Sequence, residues 1–177
     1  MTHVIHKTIK SRADGLELSV LEVVPEGTLR GIVQLVHGMS ENKERYQPFM
    51  EYLAAQGFLT VIHDHRGHGA SVRHKRDLGY MYGGGAEALL EAVSQKPDIL
   101  LLDEPTTALD LYYKDNIQQW LMQYRSMNGI VLLTSHDENE ILSCDRCLIM
   151  KQGKLTELTG EDLTIEEIRK EIITPDK

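Results

Sequence analysis

Two adjacent carboxylates, Asp103 and Glu104, end an apolar run, Ile99-Leu100-Leu101-Leu102. Such a run suits a parallel strand covered on both faces, which needs no polar alternation, and it places the pair at the strand's carboxyl end. Open α/β sheets gather their ligands there. Neighbouring carboxylates repel unless a cation or hydrogen bonds offset them, so the pair reads as a binding feature. Asp110 precedes the longest helical pattern and suits its N-cap, and His136 stands just beyond a second apolar run, at a strand-to-helix turn.

A second group of reactive types lies nearer the start. His37-Gly38-Met39 closes the run Gly31 to Val36. His63, His65, His68 and His74 crowd one polar stretch, but zinc would need three or four of them to converge, and solvated turn histidines are the simpler reading. Ser71 follows Gly69-Ala70, yet Arg73 stands where a G-x-S-x-G elbow needs glycine, so a turn hydroxyl is expected. Cys144 and Cys147 form a lone C-x-x-C before an apolar run, and they read as structural cysteines.

The elements that must position these groups alternate between strand and helix. A hairpin is expected around Ala13-Asp14-Gly15, followed by a strand over 31–36, a helix over 46–56 stopped by Gly57, and a strand over 58–62. Ala86 to Val93 reads as a short helix, Asp98 to Leu102 as the central strand, Leu111 to Tyr124 as a long helix, and Gly129 to Thr134 as another buried strand. A short helix over 137–142, a terminal hairpin around Gln152-Gly153, and a last helix opened by Thr164 and Glu167 complete the chain. The expected core includes Val33, Leu35, Val61, Ile62, Leu100, Leu102, Val131 and Leu133.

With 177 residues, the chain is long enough for one good core but not for two full catalytic domains. Its net charge of -8 argues against a nucleic-acid partner, which would want a basic face. No run approaches the roughly 18 apolar residues of a membrane span, and no charged leader precedes an apolar stretch, so a cytoplasmic location is the expectation.

Residues 4–90 resemble the amino-terminal part of α/β-hydrolases of the monoacylglycerol lipase and lysophospholipase kind. The resemblance rests on His37-Gly38-Met39-Ser40-Glu41, on Arg45-Tyr46 leading a helix, and on Asp64-His65-Arg66-Gly67-His68-Gly69-Ala70-Ser71. It implies an oxyanion region at His37, Gly38 and Met39, with the Met39 backbone N–H as donor, and a small ester or lipid as substrate. The G-x-S-x-G elbow of that family is absent from the sequence.

Residues 96–158 resemble the carboxy-terminal half of an ATP-binding cassette (ABC) ATPase. By that resemblance Asp103 is the Walker B aspartate holding Mg²⁺ through water, and Glu104 and His136 are the catalytic pair acting on water and the terminal phosphate. Asp110 is the D-loop residue that touches a second nucleotide-binding chain, and a membrane transporter subunit is a further implied partner. Mg and ATP are the implied cofactors, but the sequence has no G-x-x-x-x-G-K-[ST] phosphate loop.

The expected fold is therefore α/β and three-layered, a composite, mostly parallel sheet with flanking helices. Its amino-terminal half, residues 1–90, is α/β-hydrolase-like, and its carboxy-terminal half, residues 91–177, is P-loop-NTPase-like, with a join between Ala86 and Gln95. The expected function is that of a hybrid or truncated ABC-type ATPase with impaired Mg-ATP hydrolysis. The alternatives are an ester or lipid hydrolase lacking its elbow, and a non-catalytic fusion product.

Overall fold

A computed structural model describes residues 2–82, 97–107, 109 and 111–173. The expected helix over 86–93, the join and Asp110 lie outside the described residues.

The chain divides into two compact units, Met1–Thr134 and Ser135–Lys177. In the first, β1 (His3–Lys10), β2 (Glu17–Val24), β3 (Gly31–Val36), β4 (Phe58–His63), β5 (Ile99–Asp103) and β6 (Ile130–Thr134) form one sheet in the order β1-β2-β4-β3-β5-β6. The first hairpin and its join to β4 are antiparallel; β4, β3, β5 and β6 run parallel. The β-branched and leucine-rich runs over 31–36, 58–62 and 98–102 are thus strands as their composition requires.

Helices cover both faces of this sheet. On one side α1 (Gln47–Ala55), with Pro48 in its first turn, packs Met50 and Ala54 against Leu21, Val23, Val33, Leu35 and Ile62. On the other, α2 (Leu111–Ser126) lays Tyr124, Trp120 and Leu121 over Val36, Leu100 and Leu102. The alternation along β5 explains the division: Ile99 and Leu101 face the first cluster, Leu100 and Leu102 the second. The three-layered α/β expectation holds for this unit. No separate P-loop-NTPase-like module stands apart among the described residues, because β5 and β6 extend the same sheet as β3 and β4.

One element differs from its expected burial. β6 is not a buried strand: Ile130 and Leu132 are exposed, whereas Val131 and Leu133 pack with the α2 cluster. Among the described residues β6 pairs only with β5, and α2 packs on the face that carries Val131 and Leu133.

The second unit holds α3 (Glu138–Leu142), the hairpin of β7 (Arg146–Lys151) and β8 (Lys154–Thr159), and α4 (Ile165–Ile173). Asp137 caps α3 by accepting from the Asn139 and Glu140 amides. Thr164 caps α4 by accepting from the Glu167 amide at 3.2 Å, as the sequence pattern requires. Burial raises the pKa of both free thiols, Cys144 and Cys147, which keeps them in the unreactive protonated form.

Gly129 shows how tightly α2 meets the sheet. A Cβ built there would overlap the ring of Tyr124, which is itself buried, stacked on Trp120 and hydrogen-bonded to the Pro97 carbonyl. Gly129→Ala is expected to destabilise the fold by about 2 kcal/mol or more, read as a lower urea midpoint at unchanged slope.

Candidate functional site

The carboxyl ends of β3, β4 and β5 bring four groups of side chains together. A 3-10 turn over Lys43–Tyr46 leads into α1 and sets Tyr46 over the end of β5. Its hydroxyl lies 2.6 Å from Asp103 Oδ2 and 2.7 Å from Glu41 Oε2. A phenol has one hydrogen, so the two carboxylates share a single donor. Burial first, and then those two carboxylates, hold the phenol protonated well above its usual range. The other oxygen of Asp103 accepts from Thr134 Oγ1 at 2.5 Å.

Glu104 begins the turn from β5 into α2 in the left-handed region, at φ 45°, uncommon for a residue with a Cβ. The turn is closed by the Thr107 amide donating to the Glu104 carbonyl at 3.2 Å. Thr107 Oγ1 also donates to Glu104 Oε2 at 3.1 Å. Gly38 comes so near this turn that an added Cβ would stand 3.3 Å from the Asp103 carbonyl oxygen.

The histidines at the end of β4 are not solvated: His63, His65 and His68 are buried along with His37, and of the expected cluster only His74 is exposed. Their burial follows from the loop that folds back over them. Asp64 accepts from the Lys43 amide (2.8 Å), the Ala70 amide (2.8 Å) and Lys43 Nζ (2.6 Å). Arg66 spans to the first hairpin, where it meets Asp14 and Ser11. That hydrogen bond to Arg66 is the main cause that holds Asp14 down at about 2.

Hydrogen-bond logic fixes two tautomers. His37 Nδ1 faces the Gly38 carbonyl at 2.8 Å and must donate, while Nε2 accepts from the His65 amide at 2.9 Å. His65 Nε2 donates to the His37 carbonyl at 2.8 Å, which leaves Nδ1 with a lone pair. That nitrogen is buried and has no hydrogen-bond partner among the described residues. Burial lowers the pKa of His37 and of His65, the latter strongly, and brings His63 down to about 4, so the rings are neutral at pH 7. Both nitrogens of His68 face carbonyl oxygens, those of Met39 and Arg66, which ties down the turn that holds Met39.

Ser71 is structural. Its hydroxyl donates to the Asp64 carbonyl at 2.7 Å and accepts from the Ser19 amide at 2.9 Å, and the residue is wholly buried. His136 is exposed and belongs to the second unit, just beyond β6.

A small open pocket of about 30 Å³ lies here, lined by His37, Met39, His65, Glu104, Trp120 and Leu121 among others. Trp120 stands outside the site residues expected from the sequence. Its spacing of three from Ile117 was the available signal. Tyr46 was seen only as a helix leader, since nothing local reveals its carboxylate partner on β5.

The Mg-ATP expectation can be tested on this donor set. Both oxygens of Asp103 already accept hydroxyls, and among the described residues no group of three His, Cys, Asp or Glu side chains could hold a metal ion. The residues do not fit that cofactor.

Comparisons with known proteins point both ways. A family model described as serine aminopeptidase, S33, matches residues 27–94. The sulfate/thiosulfate import ATP-binding protein CysA 1 of Agrobacterium fabrum is 37% identical over 79 residues, covering 43% of this chain and 23% of that protein. The methionine import ATP-binding protein MetN of Salmonella enteritidis is 43% identical over 75 residues, covering 41% and 24%. Among solved structures, epoxide hydrolase VrEH1 from Vigna radiata aligns with a TM-score of 0.51 at 18% identity, covering 75% of this chain and 40% of that one. The chain thus spans less than half the length of each of these relatives. It resembles both α/β-hydrolase-fold proteins and ABC-transporter ATP-binding proteins, and its sheet is of the hydrolase kind. No described helix is long and apolar enough to cross a membrane.

The buried neutral histidines set the acid limit of the fold. Unfolded, each binds a proton near pH 6.5; folded, only far lower, so their contribution is complete above about 6.5 and is lost as pH falls toward 4. The urea midpoint is expected to drop between pH 7 and pH 5. His63→Phe is expected to flatten that slope by about one proton. Tyr46→Phe, which strips Asp103 and Glu41 of their shared donor, is expected to cost about 1–3 kcal/mol in the same assay.

Proposed function

We propose that this chain is an α/β-hydrolase-type scaffold that binds a small acyl ester or lipid beside the His37-Gly38-Met39 turn and performs no serine chemistry. The reading is carried by the sheet order β1-β2-β4-β3-β5-β6, whose fifth strand turns at Asp103 and Glu104 onto a pocket that His37 and Met39 also line. In the hydrolases that residues 4–90 resemble, the attacking serine stands on a strand-to-helix elbow. Here that kind of turn holds Glu104 in a left-handed conformation, and the Ser71 hydroxyl is spent inside the fold.

The Met39 backbone N–H is the group assigned to the ligand's carbonyl oxygen, and the His68 contact to the Met39 carbonyl supports its fixed orientation. A donor held in place before the ligand arrives needs no reorganisation. With no serine or threonine among the described residues that line the pocket, binding at this turn leads to no acyl intermediate.

Similarity to ATP-binding proteins favours a second reading, in which Asp103 and Glu104 serve nucleotide, with Asp110 and His136 as accessories. It ranks lower because the donor set around Asp103 does not suit Mg²⁺ and the sequence lacks a phosphate loop.

Methyl butyrate is expected to shift the Gly38 and Met39 amide resonances, and a serine-directed fluorophosphonate is expected to leave the protein unlabelled. Unmoved amides, or labelling lost in Ser71→Ala, would overturn the proposal. Calorimetric titration with Mg-ATP is expected to give no saturable heat; heat abolished by Asp103→Asn would establish the nucleotide reading instead.

A further inference from the structure

Beyond Ser71, the loop that leaves the β4 turn inverts the charge balance of the chain. The whole chain holds 27 acids against 19 lysines and arginines, whereas Val72 to Tyr82 holds three cations, Arg73, Lys75 and Arg76, and one acid, Asp77. From Arg73 to Tyr80 every residue but Asp77 is exposed, and two of them carry large apolar bodies: Leu78 is 61% exposed and Tyr80 64%. Two of the cations have neighbours within the loop and remain exposed. Arg73 lies over the Tyr82 ring, and Arg76 Nε is 3.8 Å from Asp77 with its side chain 84% exposed.

The backbone beneath these side chains is held. Tyr82 Oη accepts from the Arg73 amide at 2.7 Å and donates to Asp77 Oδ2 at 2.9 Å. The Asp77 and Tyr80 amides close two successive turns, and the Gly79 amide donates to the Gly67 carbonyl at 2.7 Å. Gly67 sits so close under the loop that an added Cβ would stand 2.5 Å from the Tyr80 carbonyl oxygen.

We propose that this loop docks on an anionic lipid bilayer, with Arg73, Lys75 and Arg76 at the charged headgroups and Leu78 and Tyr80 in the interface beside them. Each lysine or arginine near an anionic leaflet is attracted to it, and a tyrosine suits a boundary with one apolar and one wet side. The net charge of -8 does not cancel this attraction, because charges beyond a screening length of about 8 Å contribute little. An acidic polypeptide would meet the cations and leave Leu78 and Tyr80 in water. A single-stranded nucleic acid could stack on Tyr80 but gives Leu78 nothing. A bilayer takes all five side chains, and a loop already held in shape loses little freedom on docking. The proposal goes beyond the ester reading and does not rest on it, since neither the pocket nor the Met39 amide takes part.

Sedimentation of the full chain with vesicles tests it. Vesicles of phosphatidylserine in phosphatidylcholine are expected to carry the protein down, less so as salt is raised, and vesicles of phosphatidylcholine alone are expected to leave it in solution. Joint replacement Lys75→Gln and Arg76→Gln is expected to weaken the binding about thirtyfold. Leu78→Ser is expected to weaken it about tenfold. Equal sedimentation with both kinds of vesicle, undiminished binding by the folded double variant, or tighter binding to polyglutamate or polyuridylate than to the phosphatidylserine vesicles would each overturn the proposal. Should the double variant fail to fold, the two vesicle compositions and the salt dependence of the unaltered protein decide. Absent sedimentation with the methyl butyrate shifts intact refutes only the docking loop, and the reverse refutes only the ester reading.

Discussion

The structure depends on the parallel ladder between β3 and β5. Val33 pairs with Ile99 and Val36 with Leu102, and the strand so placed completes both helical layers at once. Each end of β5 is fastened by an aspartate. At the lower end Asp98 Oδ2 accepts from the Ile32 amide at 2.7 Å, and at the upper end Asp103 takes the Tyr46 hydroxyl. In the sequence reading β3 lies in the hydrolase-like half and β5 in the ATPase-like half. A buried parallel strand asks of its neighbour little beyond an apolar face and a free backbone, which is why runs of different origin can share a ladder.

That fastening also changes what the carboxylates can do. A carboxylate available to a metal keeps its oxygens for the cation, whereas Asp103 gives one to Tyr46 and one to Thr134. Glu104, by contrast, lines the pocket with a charge beside neutral imidazole and indole. One residue of the pair has become part of the frame and the other part of the cavity. The strand's end separates them: Asp103 is the last residue of β5, and Glu104 turns away from it in the left-handed conformation.

The strands, both capped helices and the first hairpin were legible because each is written in local pattern: β-branched runs, Asp137 before α3, Thr164 before α4. Burial was legible only where periodicity implied a partner. The histidines of the β4 turn read as solvated because polar residues in a turn usually are; their cover comes from Lys43 and from a hairpin that begins far earlier in the chain. β6 failed in the opposite sense, since an apolar run announces a strand without saying what lies on each side of it. The pocket needed His65, Glu104 and Trp120 from three separate segments, a convergence no local window contains.

Among the described residues β6 pairs with β5 alone, and an edge of that kind bears on how this polypeptide behaves at high concentration. A strand with one occupied side and outward Ile130 and Leu132 is a template for further strands, and neither lysine nor proline interrupts it. Mutual repulsion among chains of like negative sign opposes such stacking, and added electrolyte weakens that repulsion. Ionic strength thus enters colloidal behaviour: dilute salt preserves the repulsion between neighbouring molecules, and concentrated salt weakens it.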